Sequence, residues 1–102
     1  MTSTTTDDRI RATLNASTCH TVPWCGVQPG RHQHDHADSA ILHRLDLGKS
    51  VRVIQYETAD ALETPFVEVD RGALEMRDPA DAEHIAENLT IAAGILRAAL
   101  TH

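Results

Sequence analysis

Aromatic rings are nearly missing from this chain: Trp24, Tyr56 and Phe66 are single occurrences in 102 residues. A core of stacked rings is thereby excluded, and the interior has to be assembled from Ile, Leu, Val and Ala. Lysine occurs once, as Lys49, and the arginines are scattered, so no basic patch interrupts a net charge of −6. That balance repels phosphate backbones and anionic lipid, and nucleic acid is not an expected partner. No apolar run approaches the ~20 residues of a membrane span. The first residues, Met1 to Asp8, have neither the basic start nor the apolar segment of a secretory signal, so a cytoplasmic location is expected. In a reducing compartment two cysteines point to thiolate chemistry or burial before a disulfide.

What the chain does have is concentrated between Cys19 and His36. This stretch holds both cysteines, Trp24, two of the four prolines and four of the seven histidines. Pro23, Gly26, Pro29 and Gly30 force turns there and forbid a continuous helix. Thiolates and imidazoles so close together suit Zn²⁺, which takes four N/S ligands in a tetrahedron and contributes folding energy outright. The ligand set expected from spacing is Cys19, Cys25, His32 and His36, with His34 as a substitute, because His32 and His36 have the three-residue gap common for paired zinc histidines. His20 is a lesser candidate, since adjacent ligands strain a tetrahedron. Trp24 is expected to pack over the site or against a helix, and Asp35 and Asp38 either accept from ring N–H groups or are loop charges.

The remainder predicts an α+β fold: an N-terminal Cys/His knuckle, a three- to four-stranded antiparallel meander, and one long C-terminal helix packed on the sheet. Residues 1–15 are expected to be a disordered or weakly ordered tail. Residues 16–102 form the single domain, with the knuckle over 16–39, the sheet over 40–77 and the helix over 79–101. Ile41, His43, Leu45 and Leu47 alternate with Leu42, Arg44 and Asp46 as in a half-buried strand, and Val51 to Glu57 follows a turn at Gly48-Lys49. Phe66 to Asp70 and a short strand at Leu74 and Met76 complete the meander. Glu57 and Asp60, or Glu68 and Asp70, read as solvated charges.

Asp78 as N-cap and Pro79 at the first helical position mark the helix start. Ala82, Ile85, Ala86, Leu89, Ala92, Ala93, Leu96 and Leu100 share the face expected to cover the sheet. Beside them runs a second strip, His84, Asn88, Ile91 and Ile95. It is either covered by the knuckle or N-terminal segment, or free as a partner interface, including a homodimer through this helix.

Val22-Pro23-Trp24-Cys25, the histidines ending in His36-Ala37-Asp38-Ser39, the Val-rich short strands and the helix from Asp78 to Leu89 together resemble a small actinobacterial and actinophage domain family of unknown function. That family opens on Cys-Pro-x-Trp-Cys with nearby histidines and ends on a Thr-Pro-x-x-Ala-x-x-Leu-Ala helix. Here Cys19 lies two residues further from Trp24-Cys25, and Asp78 replaces the Thr. The resemblance spans about residues 19 to 100 and implies a fold plan and a metal knuckle, with no reaction attached.

The function these features support is a small acidic zinc-stabilised module for protein interaction or regulation, without catalytic activity and with a protein as its partner. The alternative is a cupin-like metalloenzyme using His32, His34 and Asp38, after the pattern Gly26-x5-His32-x-His34-x3-Asp38. Against it, Asp stands where Glu is expected and no second His motif follows the strands. Thiol redox chemistry lacks a Cys-x2-Cys at a helix start.

Overall fold

The computed structural model describes residues 3–34, 40–48, 50–70 and 75–101. Its elements are α1 (Ser3–Ala16), β1 (Gln33–His34), β2 (Ile41–Asp46), β3 (Val51–Glu57), β4 (Phe66–Val69) and α2 (Pro79–Leu100). The strands form one four-stranded antiparallel sheet in the order β1-β2-β3-β4, so each strand lies beside its neighbour in sequence. The chain is an α+β domain with a long C-terminal helix, and its Cys/His stretch lies between α1 and the sheet.

Period-2 alternation decides which side of the sheet is inside. Leu45 pairs with Val53 and Val53 with Val67, while Val51 pairs with Val69. These side chains share a face with His43 and Gln55. Against that face lie Val22, Trp24 and Cys25 from the knuckle and Ile91, Ala92 and Ile95 from α2. Trp24 is therefore core. Tyr56 and Phe66 fall on the opposite face with ring centroids 6.2 Å apart. There Arg52 also grips Asp70 through two hydrogen bonds of 2.8 and 3.0 Å, holding that carboxyl below the usual range.

The fourth strand is not where the sequence suggests. Leu74 lies outside the described residues and Glu75 to Arg77 form no strand; the extra strand is β1, on the far edge beside β2. The hairpin after β2 also differs, because the Leu47 amide donates to Val51 O at 2.9 Å. Three residues, not two, then connect the strands, with Gly48 at φ 141°.

α2 begins as predicted. The Asp78 side chain accepts from the Ala80 amide at 3.0 Å, and Pro79 occupies the first turn. Its buried face, however, is rotated. Ile91 and Ile95 are 1% and 0% exposed, whereas Leu89 and Leu100 of the expected face are 39% and 60% exposed.

The cause is α1, a 14-residue helix where a tail was expected. Ile10 and Leu14, one helical turn apart, pack on the core, and Arg9 pairs with Glu87. A Cβ at Gly94 would meet the end of the Ile10 side chain, so Gly94 gives Ile10 its seat on α2 and a larger residue would make that side chain shift. The Thr-rich start has poor helix propensity, but docking on α2 supplies what propensity does not. With two neighbours to cover, α2 buries the strip between them.

The strip His84, Asn88, Ile91 and Ile95 is accordingly covered in large part from within the chain. Its isoleucines are core, Asn88 is half-buried and only His84 is exposed. An Ile91→Asp substitution would bury an unpaired carboxylate and should cost more than about 3 kcal/mol. Denaturant unfolding checks this; a variant with the wild-type midpoint would contradict the packing.

Candidate metal centre

The knuckle is anchored before it meets the sheet. Ser17, just after α1, donates through Oγ to Cys25 O at 2.9 Å and to Val22 O at 3.3 Å. The Cys25 amide closes a turn on Val22 O at 3.2 Å, and the Gly26 amide donates to Arg44 O of β2 at 3.0 Å. These bonds fix Cys25 relative to β2. Backbone amides also point at the sulfurs: Val22 N lies 3.5 Å from Cys19 Sγ and Val27 N lies 3.4 Å from Cys25 Sγ. Such N–H donors stabilise thiolate charge.

The sheet supplies the imidazoles. The β1–β2 register pairs Gln33 with Leu42 and His34 with Ile41. Continued by one residue, it sets His32 opposite His43, and their ring centroids are 4.7 Å apart. Cys19 Sγ lies 3.5 Å from His43 Nδ1, and Cys25 Sγ lies 3.3 Å from His32 Nε2. Ligand atoms of Cys19, Cys25, His32 and His43 all lie within 4.8 Å of one another, so this group could hold a metal ion. Zn–S bonds of ~2.3 Å and Zn–N bonds of ~2.0–2.1 Å set sulfur and nitrogen about 3.5 Å apart along a tetrahedral edge, and the observed contacts match that span.

The centre is half-enclosed. Cys25 and His43 are buried, while Cys19 and His32 are half-buried beside a cleft of about 340 Å³ that His20, His34 and Glu57 also line. Burial pushes the Cys25 thiol up, and its hydrogen bonds to backbone oppose that. Burial, and then the neighbouring His43, pull His32 down, which favours the neutral imidazole a metal needs.

Glu57 completes the arrangement from β3. Its Oε1 is 2.8 Å from His43 Nε2. With Nε2–H donating to the carboxylate, Nδ1 presents its lone pair toward the cluster, the usual way a carboxylate orients a metal-binding imidazole. Far from being a solvated charge, Glu57 is the ring's partner.

Cys19, Cys25 and His32 of the expected set come together. His36, the fourth of that set, lies outside the described residues, as do Asp35 and Asp38; His34 is exposed on β1, beside the cleft but not among the four. The donor that spacing missed is His43, which alternation had placed on the apolar face of β2. The signal was there: a lone imidazole on such a face needs a partner, and none lies next to it in sequence.

Cys19, His43 and Glu57 in series also have the order nucleophile, base, orienting acid. That chain leaves Cys25 and His32 idle, whereas a metal ion uses all four donors. Of the cupin-type set His32, His34 and Asp38, the carboxylate lies outside the described residues, and the four described strands form an open sheet. No family model, no curated protein and no solved structure matches the chain. No helix among the described residues is long and apolar enough to cross a membrane.

Replacing Glu57 by Gln should weaken metal affinity by about 10- to 100-fold at unchanged stoichiometry, because the ring loses its orienting charge. Competition against a chromophoric chelator measures this, and wild-type affinity in Glu57→Gln would remove Glu57 from the site.

Proposed function

We propose that the protein is a small acidic, zinc-stabilised module for protein interaction or regulation, without catalytic activity. The observation that carries this is the convergence of two sulfurs and two ring nitrogens within 4.8 Å of one another, with sulfur–nitrogen contacts of 3.5 and 3.3 Å. Two thiolates and two imidazoles form a closed donor set preferred by zinc, with no position left for substrate. Two thiolates also cancel the charge of a divalent ion, so the half-enclosed site would be neutral when loaded. Membership of the actinobacterial and actinophage family belongs to the same proposal, supported by Trp24-Cys25 within the knuckle and by the Asp78-Pro79 helix start.

Elemental analysis of protein purified without a His-tag tests the metal. One zinc per chain, with cooperative unfolding on chelation followed by circular dichroism, is the expected result. Iron, manganese or nickel in an open coordination sphere would overturn it, and so would metal-free protein with a Cys19–Cys25 disulfide.

The interaction half of the proposal rests on apolar side chains left at the surface. Leu89 and Leu100 lie on the outward side of α2. A second copy of the chain, packed helix against helix there, is the proposed partner in place of one seated on Ile91 and Ile95. Sedimentation should show a dimer that Leu89→Arg converts to a folded monomer; a wild-type monomer at high concentration refutes this partner.

A further inference from the structure

Two imidazoles beside the metal centre have no role in the closed donor set. His20 and His34 are exposed and line the same cleft as Cys19, His32, His43 and Glu57. His20 is the peptide neighbour of Cys19, too close in sequence to join the same tetrahedron without strain. His34 pairs with Ile41, two residues from His43 on the same strand and therefore on the same face. Cys25, by contrast, is buried and takes no part in lining the cleft. The cleft thus opens from solvent onto three of the four donors, with free imidazoles at its rim.

We propose that His20 and His34 form an exchange port: they bind an incoming divalent ion transiently, pass it to the four-donor centre, and take it back on release. This rests on the zinc assignment above. A hydrated ion loses its waters stepwise, and a closed tetrahedral zinc exchanges ligands by expanding to five-coordination. A neutral borderline donor held close to the ion, without being part of the final set, can serve as the ligand that enters. A rim imidazole meets that requirement, and a water molecule meets it less well. Because the port lies on the path and not in the end state, it speeds loading and release by the same factor and leaves affinity untouched. The site then trades zinc with other zinc ligands in solution, although its thermodynamic grip is that of a closed centre.

The test uses the full untagged chain, with zinc transferred to and from a chromophoric chelator in stopped flow. In a His20→Ala/His34→Ala variant, loading and release should both slow several-fold at unchanged Kd, with His84→Ala, an exposed histidine on α2, behaving as wild type. Free imidazole in the buffer should restore the rates of the double variant, an effect no structural role would give. Both side chains are exposed, and a His20→Asn/His34→Asn variant keeps the polarity should the alanines disturb the loop. Unchanged rates overturn the port and leave the zinc centre standing. A weakened Kd with faster release also overturns it, since the two histidines would then be ligands. A wild-type chain that takes up no zinc brings down the zinc assignment itself, and the port with it.

Discussion

The pairing of a sulfur from the knuckle with a ring nitrogen from the sheet side, made twice, is the constraint on which the rest depends. Cys19 meets His43 and Cys25 meets His32. Cys25 is also part of the core, next to Trp24 and packed with Val51, Val53 and Ile95. The cluster therefore is continuous with the hydrophobic interior, and ordering one orders the other. In the absence of an ion, burial favours the neutral thiol at Cys25 and the neutral ring at His32, so the cluster can be enclosed at little electrostatic cost. A divalent ion replaces the two thiol protons and the site remains neutral. Both states are compatible with burial, which is why the same residues can serve as part of a core and as a ligand set.

The small aliphatic interior explains why such a centre is useful. With its single tryptophan spent on the core, and its tyrosine and phenylalanine on the outer face of the sheet, the inner face is closed by Val, Ile and Ala. α2 and the knuckle cover it, and α1 packs in turn on α2. α1 contributes Ile10 and Leu14, and Ser17 at its end ties the knuckle carbonyls to the same corner. The knuckle and α2 so lie on the inner face of the sheet with α1 packed against α2, and a metal ion at the knuckle would brace this arrangement.

How much of this can be read from residues alone follows from the range of each interaction. The Asp78-Pro79 helix start depends on bonds within one turn, and it was legible. Alternation in β2, β3 and β4 was legible for the same reason. α1 was not, because Thr and Asp have weak helix propensity and what fixes the segment is contact with Gly94, more than eighty residues away. Missing α1 also rotated the expected face of α2, since a helix with one neighbour and a helix with two bury different arcs. Cys19, Cys25 and His32 were recognisable as donors from chemistry. His43 was not, because spacing rules describe ligands on one local segment, and its proximity to His32 is a product of strand pairing.

The presence of a strand histidine in the donor group changes what metal binding would mean. A knuckle closed by His36 would be a local device that could fold around its ion with the sheet unformed. Closed by His43, it cannot. His43 reaches the sulfurs only if β2 is in place, and its ring is oriented by Glu57 only if β3 is paired with β2 in the observed register, where His43 faces Gln55 and Ile41 faces Glu57. Because side chains alternate along a strand, a slip of one residue in β2 would turn His43 to the outer face and remove two contacts at once. Coordination and strand register would then be one event, and an ion held by these four donors would add to the burial pattern a second check on correct pairing.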